Sequence, residues 1–138
     1  SPDYFRKHGR PDSPDELSRH NCLAISSAGS QRGWTFRQAG KNVTLKVNGN
    51  MVCNDGAVLH DWALTGKGLA WRSMWEVGQE IETGLLQTVL DEYAAPGNDI
   101  YAVFAQRQHL PLRIRVFVDF LRRAFSETDY WKKRQPGG

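Results

Sequence analysis

The apolar positions change their spacing part-way along this chain. Up to about residue 53 they come in short runs or strict alternation. Beyond it they recur mostly at helical spacing, interrupted by short apolar runs. Ser1-Pro2-Asp3 predicts a short helix, with Ser1 as cap, Pro2 pre-set for the first helical position and Asp3 complementing the dipole; Gly9 ends it. Ser13-Pro14-Asp15-Glu16 reads as a capping box for a second short helix ending near Ser18-Arg19. Cys22–Ser27 is mostly apolar and predicts a buried strand, and the Ser- and Gly-rich stretch 26–33 a loop. Residues 34–38 and 43–47, joined by Ala39-Gly40-Lys41-Asn42, predict a hairpin. In it Val43, Leu45 and Val47 alternate with Thr44 and Lys46, so one face is wet and the other buried. Asn48-Gly49 suits a tight type I′ turn into a strand Met51-Val52-Cys53.

Asn54 or Asp55 then caps a helix reaching about Thr65, with Val58, Leu59, Trp62 and Ala63 on one face. Gly66 to Gly68 stops it, and Leu69-Ala70-Trp71 forms a short strand. A second amphipathic helix, Met74–Glu82, presents Val77 and Ile81; Gly84 ends it, and 85–90 reads as another strand. After the break Ala95-Pro96-Gly97-Asn98 come an apolar strand at 100–105 and a helix at 112–125. The helix sets a stripe of Ile114, Phe117, Val118, Leu121 and Phe125 against Arg113, Arg115, Arg122 and Arg123. The polar segment 127–138 is predicted to be a disordered tail. Helices alternating with buried strands imply an α/β fold with right-handed crossovers.

Composition narrows the function. The 138 residues suffice for one domain with a sizeable core. A net charge of +3 with scattered basic residues is too weak to argue for nucleic acid. No apolar run approaches the ~20 residues needed to span a bilayer, and no basic-then-apolar leader is visible, so the expectation is a cytoplasmic protein without a membrane partner. Cys22 and Cys53 each fall in a predicted strand and read as two buried thiols in a reducing compartment. His8, His20, His60 and His109 lack metal-ligand spacing. His60 and Asp61 are helix neighbours pointing to different faces. No nucleophile elbow, phosphate loop or dinucleotide fingerprint is present. The expectation is therefore no catalytic residue, no metal and no cofactor.

An ordered set of small motifs adds to this. It comprises Ser1-Pro2-x-Tyr4, His8-Gly9-x-Pro11, Pro14-x-x-Leu17-x-x-His20-Asn21-Cys22, Trp34-x-Phe36, Asn54-Asp55 and Ala63-Leu64-x-Gly66-x-Gly68-Leu69-Ala70. Val89-Leu90, Ile100-Tyr101-Ala102-Val103 and Val116-Phe117-Val118-Asp119-Phe120-Leu121 continue it. Over nearly all of residues 1–125 the chain resembles the effector-binding (substrate-binding) domain of LysR-type bacterial transcriptional regulators. The N-terminal helix-turn-helix and the first half of lobe I of that family have no counterpart in it. The resemblance implies a periplasmic-binding-protein-like lobe, a mixed sheet flanked by helices. Residues 1–95 would be lobe II, and 96–126 the return strand and C-terminal helix of an incomplete lobe I. It implies a small anionic or aromatic effector in an inter-lobe cleft, and DNA contact only through the part not represented here. The apolar stripe of the last helix would lack the sheet it packs on, which predicts self-association through residues 100–125. A stand-alone periplasmic-type solute-binding protein is the alternative.

The same resemblance places the effector wall at strand ends: Ser26, Ser27 and Ala28 after the first strand, Asn54 and Asp55 at a helix start, Gly68, Leu69 and Trp71 along the next strand. Hydroxyls and open N–H groups suit a carboxylate or phenolate, and Trp71 can stack on an aromatic ligand. Each residue also has a plain structural reading: Ser26 and Ser27 as loop, Asn54-Asp55 as helix cap, Trp71 as core. Where many members carry Pro after the Gly-x-Gly-Leu-Ala strand, Trp71-Arg72-Ser73 stands here.

Overall fold

A strand that is apolar without alternation must be covered on both faces, and β1 (Cys22–Ser27) is: Cys22, Leu23 and Ala24 are all buried. In this computed structural model, which describes residues 1–27, 30–31, 33–95, 103 and 111–126, two strands run parallel to it. These are β5 (Val52–Cys53), in the register Ala24↔Val52, and β6 (Leu69–Ala70), in the register Cys22↔Leu69. β2 (Ser30–Gln31) folds back antiparallel on the end of β1, Ser26 opposite Gln31. A separate two-stranded sheet joins β3 (Trp34–Gln38) to β4 (Lys41–Leu45).

Helices cover the main sheet. Because neighbouring strand residues point to opposite faces, Cys22 and Leu23 belong to different cores. Cys22 packs with Tyr4 of α1 (Pro2–His8), Leu17, Trp34, Phe36, Val47 and Leu69. Leu23 packs with Leu59 and Ala63 of α2 (Gly56–Leu64), Val77 of α3 (Met74–Glu82) and Leu86. The apolar faces expected of α2 and α3 are the buried ones, except that Val58 stays outside. Asp55, rather than Asn54, caps α2: its Oδ1 accepts from the Ala57 N–H at 2.8 Å.

Several local expectations change in three dimensions. The loop expected at 26–33 begins with β1 still running to Ser27 and contains β2. The hairpin turn shortens to Ala39-Gly40, both in left-handed conformation, so β4 starts at Lys41. Asn48-Gly49 makes no hairpin. The Asn48 carbonyl accepts from the Cys22 N–H at 3.0 Å and the Asn21 side chain accepts from the Asn50 N–H at 2.9 Å. The chain is thereby led alongside β1 rather than back onto β4. Residues 85–90 form no strand; Thr88 is held instead by Arg10, whose Nη2 donates to its carbonyl at 2.9 Å. The segment at Ser13 is a 3-10 helix, Pro14–Arg19, and Glu16 accepts from the Asp12 N–H, one residue ahead of the expected box. Ser1 contributes its carbonyl rather than its hydroxyl to the start of α1, accepting from the Tyr4 N–H at 3.1 Å. Cys53 is half-buried rather than buried, its Sγ 3.1 Å from the Asp55 carbonyl. Burial pushes the Cys22 thiol up to about 11.

Tyr4 ties α1 to the start of β1. Its hydroxyl oxygen accepts from the Asn21 N–H at 2.9 Å and lies 3.2 Å from His20 Nδ1. With the oxygen accepting from Asn21, the hydroxyl proton is free for a neutral imidazole, and protonating Nδ1 would remove that acceptor. Burial, and then the nearby His8, hold the His20 pKa below its ordinary 6.5, while Glu16 opposes them. The folded state therefore binds fewer protons than the unfolded one just below pH 6.5. That contribution to stability is complete above this pH and is lost as pH falls through it toward the lowered folded value. Urea midpoints should be lower at pH 5.5 than at 7.5, and His20→Gln should flatten the difference. An unchanged slope in the variant would assign the effect elsewhere.

The chain divides into two compact units, Ser1–Gly97 and Asn98–Gly138. In the second, α4 (Leu112–Ser126) has the expected helical span. Leu112, Val116, Phe117 and Phe120 are exposed on it, while Val118 and Leu121 are half-buried. The strand expected at 100–105, apart from Val103, and the tail 127–138 lie outside the described residues.

Candidate functional site

Parallel strands end on the same edge of a sheet, and here three do. β1 ends at Ser26-Ser27, β5 leads into Asn54-Asp55, and β6 leads into Trp71-Arg72. α2 starts at this edge; the Asp55 side chain takes the Ala57 N–H, and the other first-turn N–H groups, which have no partner within the helix, point that way. Gly56 is its first residue. A Cβ at that position would stand 3.0 Å from both terminal nitrogens of Arg72, so the missing side chain makes room for a guanidinium laid against the first turn. Arg72 is mostly buried. Its Nη2 pairs with Glu76 Oε1 at 2.9 Å, its Nε has no partner among the described residues, and Glu76 in turn accepts from the Ser73 N–H at the start of α3. A cation is thus fixed beside a helix N-terminus at the end of a parallel sheet, an arrangement suited to a carboxylate.

Trp71 is 44% exposed and forms part of an aromatic wall. Phe36 meets it edge-on at 5.2 Å between centroids and Trp34 lies tilted at 6.0 Å. Both come from one face of β3, which the Trp34-x-Phe36 alternation sets.

The structure separates the sequence-derived site residues into two groups. Ser26 is half-buried within β1, Ser27 closes that strand, Asn54 and Asp55 are exposed, and all lie at the shared edge with Trp71. Ala28 is outside the described residues. Gly68 and Leu69 are buried. A Cβ on Gly68 would come within 2.3 Å of the Asn21 carbonyl, so Gly68 permits backbone approach, and the Leu69 side chain belongs to the core. They line a half-open pocket of about 250 Å³, reached also by Trp71 and Arg72. Sequence reading missed Arg72, Trp34 and Phe36 as site residues. The replacement of Pro by Trp71-Arg72-Ser73 was the available signal for the first.

His60 Nε2 lies 3.6 Å from Glu80 Oε1 across α2 and α3. Among the described residues no three His, Cys, Asp or Glu side chains are grouped to hold a metal. No helix among them is long and apolar enough to cross a membrane.

The family model of the LysR substrate binding domain matches residues 1–126. The chain belongs to that LysR family. The HTH-type transcriptional regulator DmlR of Escherichia coli K12 is 37% identical over 128 residues, 92% of this chain and 41% of that protein. CrgA, a LysR-type transcriptional regulator from Neisseria meningitidis, has a solved structure with a TM-score of 0.70 at 30% identity, covering 90% of this chain and 42% of that one. The regulatory domain of AphB from Vibrio vulnificus gives 0.72 at 25% identity, covering 90% and 61%. The chain thus spans about two fifths of the full-length regulators it resembles. Its fold is the periplasmic-binding-protein-like α/β architecture of LysR regulatory domains. As a LysR domain it groups with transcriptional regulators rather than enzymes, and these relatives do not favour the solute-binding alternative.

Proposed function

We propose that this LysR domain is the effector-sensing part of a DNA-binding transcriptional regulator, forming one wall of an inter-lobe cleft for a small anionic or aromatic molecule. Supporting this above all is the convergence of three parallel strand ends on an Arg72 guanidinium beside the N-terminus of α2. Ser26, Ser27, Ala28, Asn54, Asp55 and Trp71 make up the wall, Arg72 supplies its charge, and Gly68 and Leu69 back it from the core. Residues 1–95 act as lobe II and 96–126 as the returning part of lobe I. The exposed apolar residues of α4 support self-association through 100–125. An effector that prefers one lobe or subunit arrangement shifts the population toward it, and helix-turn-helix heads carried elsewhere in the polypeptide convert that shift into DNA binding.

The test is a thermal-shift screen of the longer regulator against small carboxylates, phenolates and neutral aromatics, followed by backbone NMR on the best binder. Perturbations should gather at Ser26, at Asn54-Asp55 and at Trp71-Arg72, with quenching of tryptophan fluorescence. A saturating ligand that perturbs none of these positions would remove the site.

A further inference from the structure

Polar side chains meet in two rungs along the seam between α2 and α3. Gly56 and His60 are four residues apart on α2, and Glu76 and Glu80 four apart on α3, so each pair shares one helix face. The first rung is the Arg72–Glu76 pair laid against Gly56. The second is His60 and Glu80, each 22% exposed, with Nε2 3.6 Å from Oε1. That is ion-pair separation but beyond a hydrogen bond. His60 Nε2 and Glu80 Oε2 are buried, and neither has a hydrogen-bond partner among the described residues. Unsatisfied buried polar atoms are costly, and a proton on the imidazole makes both ring nitrogens donors toward the carboxylate. Few other titratable groups bear on His60. Asp61 is its helix neighbour and points to another face. β5 brings Cys53, whose Sγ is turned to the Asp55 carbonyl, and β1 and the turn after α3 bring the uncharged Leu23 and Leu86. Farther along α3, Glu76 is occupied by Arg72.

We propose that His60 and Glu80 form a proton-operated brace behind the effector wall: on taking up a proton His60 closes on Glu80, fixes α3 against α2 and raises the affinity of the wall for a carboxylate. The last step rests on reading that wall as an anion site. While His60 is neutral the seam holds Arg72 against Glu76 and Glu80, an excess of negative charge beside the start of α2. A protonated His60 cancels that excess. It stands four residues along α2 from Gly56, about 6 Å along the axis, close enough for a bound anion to feel the change. Histidine changes charge between pH 5 and 8, so the brace works in that range. Coupling is reciprocal, so a bound carboxylate draws a proton into the pair.

The test uses the longer regulator with benzoate and succinate as probes. Without ligand, nitrogen-15 NMR at pH 5.5 should show a slowly exchanging His60 Nε2–H proton that is lost in Glu80→Ala. Absence of that proton from the parent overturns the brace, whatever the wall binds. Titration calorimetry should then show carboxylate binding about 5-fold tighter at pH 5.5 than at 7.5, the low end of ordinary coupling. Repeating it in buffers of different ionisation enthalpy should reveal proton uptake on binding. The two single variants should move in opposite directions. His60→Gln should bind at both pH values as weakly as the parent at 7.5 and take up no proton, and Glu80→Gln should bind at pH 7.5 about as tightly as the parent at 5.5. A pH dependence that survives in His60→Gln, or an equal loss of affinity in both variants, overturns the proposal, the latter by assigning the pair to packing alone. The Nε2–H proton present with neither probe bound at either pH would uphold the brace and count against the wall as an anion site.

Discussion

Gly49→Ala is expected to destabilise the first unit by about 3 kcal/mol or more, at or beyond the upper end of ordinary overpacking costs. A Cβ there would stand 2.0 Å from the Cys22 carbonyl oxygen and 2.8 Å from its carbon. Both atoms are backbone of the central strand, so no flexible side chain can yield. Moving the 48–50 segment away would break the Asn48 bond to the Cys22 N–H and the Asn50 bond to Asn21. These lead the chain from β4 into its parallel place beside β1. Gly84→Ala is the instructive contrast. Its Cβ would meet open space, but its φ of +75° is left-handed, so about 1 kcal/mol of backbone strain is the expected cost. Chemical denaturation of both variants compares close approach with backbone conformation. A Gly49→Ala midpoint no lower than that of Gly84→Ala would show that the segment shifts without penalty.

The Gly49 contact also marks where sequence reading loses its grip. Helices α2, α3 and α4 were legible because their signals are local: a cap, a 3.6-residue apolar period and a terminating residue lie within one short window. β1 and the β3–β4 hairpin were legible for similar reasons. Strand partners were not. Asn48-Gly49 carries a hairpin signal, yet the buried edge of β1 attracts the following strand, and nothing near residue 48 encodes that. Residues 85–90 have strand character but no partner among the described residues, so character alone does not become a strand. The site divides the same way. Ser26, Asn54, Asp55 and Trp71 could be placed at strand and helix ends from the sequence. The fit of Arg72 into the space left by Gly56 depends on β6 and α2 meeting, a tertiary fact. Gly68 and Leu69 were attached to the site by motif, and their burial shows what that motif also does: it lets β6 lie close against the chain at Asn21.

Arg72→Met is expected to weaken binding of an anionic effector by about 10- to 100-fold, the effect of losing one charge-assisted hydrogen bond of roughly 1.5–3 kcal/mol. Methionine keeps much of the apolar length of the side chain and removes the fork of donors, so a neutral aromatic effector leaning on Trp71 should be little affected. Arg72→Lys should recover only part of the loss, because a compact charge on a flexible stem does not reproduce the placement of the planar guanidinium against the first turn of α2. Arg72 also neutralises Glu76, whose side chain is only 26% exposed, and removing one partner leaves the other as an uncompensated charge. Weaker binding by Arg72→Met alone could therefore reflect a repelling carboxylate rather than a lost contact. The double variant Arg72→Met, Glu76→Gln separates the two. If the lost guanidinium is responsible, titration calorimetry of the longer regulator will give the double variant the same weakened affinity. If Glu76 repulsion is responsible, the double variant will bind the carboxylate as tightly as the parent, and the wall will owe its anion preference to the backbone N–H groups of α2 alone.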